Sequence, residues 1–164
     1  MDNPQIFERH LATPDETTAL AAAVSRLLVA GDTLLLSGDL GAGKTHFSRA
    51  LITARLAAVG MSDDIPSPTY TLVQTYSDGI TDIWHADLYR LTGPDDIAEL
   101  GLLEAFETAV CLIEWPDRLG DLRPPGALSI ELQHTNHEHQ RSAKLSWHDP
   151  KWNKLHPLLG RGNV

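Results

Sequence analysis

The chain has 164 residues, 42% hydrophobic and 21% charged, the size and composition of one globular domain with one core. A net charge of −9 excludes a broad nucleic-acid grip of its own, since phosphate backbones need dense Lys and Arg. One cysteine excludes an internal disulfide, no apolar run approaches membrane-spanning length, and Met1-Asp2-Asn3-Pro4-Gln5 lacks the basic and apolar regions of a signal peptide, so a cytoplasmic location with no membrane contact is expected.

Residues 13–30 predict a helix, with Thr13 as N-cap, Pro14 in the first turn, Glu16 reaching back as in a capping box, and Gly31 as the stop. Thr33-Leu34-Leu35-Leu36-Ser37 predicts a buried parallel strand, and Lys44 to Val59 a helix ended by Gly60. Between them lies Gly38-Asp39-Leu40-Gly41-Ala42-Gly43-Lys44-Thr45, a complete G-x-x-x-x-G-K-[ST] phosphate-binding loop in strand-to-helix context. Its glycines let backbone N–H groups converge on phosphate oxygens, and the helix start behind them adds partial positive charge. Asp39, Leu40, Gly41, Ala42 and Gly43 are therefore expected to cradle the phosphates. Lys44 is expected to reach the β/γ-phosphates, and the Thr45 hydroxyl to ligate Mg²⁺.

Residues 61–69 predict a proline-broken loop; Tyr70–Tyr76 and Ile80–His85 predict a hairpin around Ser77-Asp78-Gly79. A helix is expected over Ile97–Phe106, a buried strand over Ala109–Trp115, and strands over Leu128–Gln133 and Ser142–Trp147. The fold class is α/β, a P-loop NTPase-like domain over residues 1–150 whose mixed, mostly parallel central sheet is flanked by helices and carries β-hairpins. Residues 151–164 show no pattern and are expected to form a mobile tail.

A P-loop hydrolase needs a second acid at the end of a neighbouring strand. Val110-Cys111-Leu112-Ile113 closes on Glu114, which reads as the Walker B-type acid holding Mg²⁺. Asp87, after Ile83-Trp84-His85-Ala86, reads as a water-orienting or metal-completing acid against the alternative of a turn cap. Thr69, in Ser67-Pro68-Thr69, reads as a γ-phosphate sensor against a solvated turn. Cys111 is a buried structural thiol; His134, His137 and His139 sit in a solvated hairpin connection; His46 and His85 have no nucleophile partner and form no triad. Trp115 and Tyr89 read equally as partner-facing aromatics or as core. No Asn-Lys-x-Asp guanine-reading motif is present. A small P-loop kinase acting on a metabolite or nucleoside stays open, although no Arg-rich lid stands out.

Four segments together, the P-loop, Ser67-Pro68-Thr69-Tyr70-Thr71-Leu72-Val73, His85-Ala86-Asp87-Leu88-Tyr89-Arg90-Leu91 and Leu112-Ile113-Glu114-Trp115-Pro116, resemble the TsaE (YjeE) family over about Pro14 to Trp147. The P-loop alone is generic; the other three at these separations are specific. The resemblance implies an Mg²⁺-dependent ATPase of bacterial tRNA threonylcarbamoyladenosine synthesis. That ATPase acts with a TsaD–TsaB heterodimer, resets it between turnovers, and meets tRNA only through those partners. It implies that Glu114 serves Mg²⁺, that Asp87 is needed for turnover, and that Glu16 lies near the nucleotide base. Arg141 matches a basic position of the family's C-terminal hairpin, but this region departs most and Arg141 is not carried as a site residue. No arginine finger is evident, with Arg90 left open, so slow hydrolysis stimulated by partners is expected.

Overall fold

A computed structural model describes residues 3–159. In chain order the elements are β1 (Gln5–Leu11), α1 (Pro14–Ser25), β2 (Thr33–Ser37), α2 (Lys44–Ala57), β3 (Val73–Ser77), β4 (Asp82–Asp87), α3 (Pro94–Glu99), α4 (Leu102–Thr108), β5 (Val110–Glu114), a 3₁₀ segment (Pro116–Leu122), β6 (Leu128–His134), β7 (Arg141–Trp147), a second 3₁₀ segment (Pro150–Leu155) and α5 (His156–Leu159).

The strands form one sheet in the order β1-β7-β6-β2-β5-β4-β3. Its centre, β6-β2-β5-β4, is parallel, and both flanks are antiparallel. The sheet is therefore mixed, as expected. The all-apolar runs of β2 and β5 follow from cover on both faces. Leu34, Leu36, Val110 and Leu112 enter the core under α1 and α2, whereas Leu35, Cys111 and Ile113 enter the core under α3 and α4. Burial pushes the Cys111 thiol up to about 12, which leaves it inert, as a structural cysteine should be.

Several boundaries differ from the sequence expectation, each for a tertiary reason. Helix α1 stops at Ser25 instead of running to residue 30, because Arg55 on α2 donates to the carbonyls of Ser25 (2.8 Å) and Leu28 (2.6 Å) and satisfies the helix end. The first hairpin strand starts at Val73, since Leu72 turns through φ 69° and its N–H donates back to the Pro68 carbonyl at 2.7 Å. The helix expected over 97–106 is two, split at Gly101 (φ 82°), where a Cβ would lie 3.4 Å from the Trp84 ring. Strand β1 has no apolar run to announce it and forms because β7 offers a free edge that seven of its residues pair with.

The expected mobile tail is corrected over residues 151–159. Trp152, Leu155 and Leu159 are fully buried, the Trp152 indole donates to the Gly126 carbonyl at 2.8 Å, and Lys151 and Lys154 pair with Asp32 at 3.3 and 2.8 Å. Residues 160–164 of that tail lie outside the described residues. Among the described residues no helix is long and apolar enough to cross a membrane.

Candidate nucleotide site

The parallel centre delivers the chemistry to one end of the sheet. Strand β2 runs into the glycine-rich turn, and β4 and β5 end beside it in register, Asp87 against Glu114. Gly38 is dictated by space as well as by φ 140°: a Cβ there would meet the Leu132 carbonyl oxygen of β6 at 2.2 Å. Gly43, in the left-handed region at φ 110°, opens α2.

The buried Lys44 donates to the carbonyls of Gly38 (2.5 Å) and Asp39 (3.0 Å) and lies 4.4 Å over the Trp115 ring. Burial holds its ammonium below the usual lysine range, opposed by the nearby charges of Glu114, Asp87 and Asp39. Trp115 is held in the left-handed region (φ 59°, ψ 55°), a rare conformation for a bulky residue, and its ring packs against Tyr89 at 4.8 Å. Both readings of these aromatics have a structural counterpart: Trp115 is half-buried against the α3–α4 core, and Tyr89 is 45% exposed.

Thr45 Oγ1 donates to Glu114 Oε1 at 2.8 Å, and His85 Nε2 lies 2.6 Å from Glu114 Oε2. Asp87 Oδ2 accepts from the Thr69 hydroxyl at 3.3 Å, while its Oδ1 accepts from the Tyr89 N–H at 3.0 Å. The Thr69 hydroxyl also meets that of Ser67 at 2.8 Å, so the loop from Ser67 to Leu72 is tied to the β4 terminus. Arg90 is tied to the same turn: it donates to the Thr69 carbonyl and stacks over Tyr70. A cleft of about 380 Å³ opens between these groups, lined by Lys44, Thr45, Thr69, Asp87 and Glu114 with Leu40, Gly41 and Gly43 at the loop. Three motifs from distant parts of the chain thus converge on the P-loop.

One expected residue is not brought there. The Glu16 carboxylate accepts from the Ala12 N–H at 2.6 Å, closing the helix start reciprocally with Thr13, and it faces a separate cavity shared with Arg9 and His10. The α1 residues that do border the loop are Pro14 and Thr17. Two contacts were not legible beforehand. His134 Nε2 lies 3.2 Å from the Leu40 carbonyl, and Arg141 donates to the Gly41 carbonyl at 3.2 Å, so the β6–β7 connection leans on the P-loop; the match of Arg141 to a basic position of the resembled family was its one advance signal.

The residues present fit a magnesium nucleotide. No cluster of three or more His, Cys, Asp or Glu side chains able to cage a metal exists among the described residues. One hydroxyl and one carboxylate beside a phosphate cradle are what Mg²⁺ uses when phosphates and waters complete its shell.

The family of threonylcarbamoyl adenosine biosynthesis proteins TsaE matches residues 11–143. The chain belongs to the TsaE family. Similar proteins include the tRNA threonylcarbamoyladenosine biosynthesis protein TsaE of Rickettsia felis, 41% identical over 75% of this chain and 70% of that one. The TsaE protein of Bacillus subtilis is 36% identical over 73% of each. The crystal structure of Bacillus subtilis YdiB superposes with a TM-score of 0.77 at 26% identity and covers 98% of both chains, so the likeness extends over the antiparallel flanks as well as the parallel centre. All four motif segments quoted above fall inside the stretch matched by the TsaE family.

Proposed function

We propose that this TsaE family member is the Mg²⁺-dependent ATP-binding and ATP-hydrolysing component of the tRNA threonylcarbamoyladenosine machinery, working in the cytoplasm and resetting a TsaD–TsaB complex between turnovers. The observation that carries the nucleotide reading is the meeting of Thr45 and Glu114 at 2.8 Å beside the P-loop, with Asp87 in register one strand away. The family assignment supports the pathway. The acidic net charge supports tRNA being held by partners.

In this reading the amides of residues 39–43 and the start of α2 receive the phosphates, and the Lys44 ammonium moves from its carbonyl partners to the β/γ-phosphates. Thr45 and Glu114 hold Mg²⁺, which when bound stabilises charge on the transferring phosphoryl group. Asp87 orients the attacking water and takes its proton, and the hydroxyl of Thr69 couples that acid to the Ser67–Leu72 loop. The test is phosphate release from ATP with and without purified TsaD–TsaB and without any added acceptor. Mg²⁺-dependent release that rises with the partners is expected. Consumption of ATP only in proportion to an added acceptor would instead establish a kinase.

A further inference from the structure

Both oxygens of the Glu114 carboxylate are occupied, one by the Thr45 hydroxyl and the other by His85. The His85 and Glu114 side chains are sealed from solvent, with exposures of 0% and 2%. The contact follows from the sheet. Asp87 pairs with Glu114 and His85 with Leu112, and the two-residue period of a strand turns His85 and Asp87 to the face that Glu114 shares. A carboxylate only accepts, so Nε2 is the donor. Nδ1 is buried with no hydrogen-bond partner. An aliphatic side chain would fill this place, on the same face as Ile83, without an orphaned nitrogen, so packing alone does not account for a histidine here.

We infer that His85 is a positioning residue for the magnesium site: its Nε2–H pins Oε2 of Glu114 and so keeps Oε1 turned to the Thr45 hydroxyl. This rests on the proposed role of Thr45 and Glu114 as Mg²⁺ ligands. A group that orients a ligating carboxylate acts on metal affinity and leaves the phosphate cradle alone. The loop amides and Lys44 do not touch His85, and their contacts survive its loss.

The experiment measures binding of a fluorescent ATP analogue to the full chain, in EDTA and across a Mg²⁺ titration, for wild type, His85→Leu, His85→Asn and His85→Gln. The glutamine carboxamide nitrogen stands where Nε2 stands, and that of asparagine stands where Nδ1 stands. His85→Leu and His85→Asn are expected to raise the half-saturating Mg²⁺ concentration by about 10- to 100-fold with affinity in EDTA unchanged, and His85→Gln to recover most of the loss. If His85→Leu does not fold, the Asn and Gln pair decides alone. Wild-type Mg²⁺ response in all variants, an equal loss in EDTA and in Mg²⁺, or a failure of all three to fold would overturn the inference while leaving the proposed function standing. A wild-type protein whose nucleotide binding ignores Mg²⁺ would overturn both.

Discussion

The two ends of the central sheet each bury a carboxylate, and they treat it differently. At the end where β2 begins, Asp32 is 2% exposed and pairs with Lys151 and Lys154 while accepting the Val29 N–H at 2.9 Å. At the opposite end, Glu114 is 1% exposed and held by the Thr45 hydroxyl and the His85 ring; no lysine or arginine pairs with it among the described residues. The nearest ammonium, Lys44, is turned instead to the Gly38 and Asp39 carbonyls. A buried acid neutralised inside the chain is a structural clasp. One held by hydrogen bonds with no lysine or arginine paired to it suits the proposed role of receiving a cation from outside.

This contrast is broken most decisively at the uncompensated end. Asp87→Asn is expected to lower phosphate release by about 10²–10⁴-fold while nucleotide affinity in calorimetry is retained, because it removes a proton acceptor and keeps the shape. Release at the wild-type rate would strip Asp87 of its role. Lys44→Ala comes next. Losing charge-assisted bonds worth about 1.5–3 kcal/mol should weaken ATP binding by roughly 10- to 150-fold in the same calorimeter. Unchanged affinity would mean that the phosphates sit elsewhere.

At the compensated end, Asp32→Ala is expected to cost about 1–3 kcal/mol in urea unfolding and to leave ATP affinity unaltered. The loss is held to that range because Lys151 and Lys154 are 36% and 27% exposed and can hydrate once unpaired. A variant that kept its stability but lost nucleotide binding would invert the assignment of the two ends.

What the sequence revealed divides along similar lines. The P-loop, the acid closing β5 and the acid closing β4 were legible because each is written locally, as a spacing or as a polar residue that ends an apolar run. The groups that secure them come from far along the chain. His85 lies 29 residues from Glu114, Arg141 lies 100 from Gly41, and Lys154 lies 122 from Asp32; no periodicity encodes such a pairing. The same distance hid β1, whose only reason to be a strand is the edge of β7, and the segment after Pro150, whose few apolar anchors Trp152, Leu155 and Leu159 are buried. Glu16 stands apart from the cleft for the opposite reason: its local role as a capping residue is fulfilled, with its carboxylate bonded to the Ala12 N–H.

Asp78 offers the finest test of the contrast, since it is a further largely buried carboxylate, in the β3–β4 turn at the same end of the sheet as Asp32 but away from its lysines. Burial alone would raise its pKa, but the N–H groups of Thr81 and Ile80 and the Arg55 guanidinium at 3.1 Å outweigh that and hold it below the ordinary 3.8. By the logic of the Asp32 clasp it is structural: Arg55 also caps α1, so the pair links α1, α2 and the β3–β4 turn. The sign follows from linkage. A carboxyl with a depressed folded-state pKa adds stability that is fully present above its unfolded value, and this is lost as pH falls through the lower folded value. Asp78→Asn should therefore lower stability at neutral pH by the smallest margin of the variants considered and flatten the acid limb of thermal melts collected from pH 6 down to about 2. ATP affinity should stay at the wild-type value, because no atom of the pair reaches the cleft. An acid limb as steep as that of the wild type would show that the Arg55 contact does not hold the carboxylate in solution, and internal compensation would then no longer separate structural from functional acids in this fold.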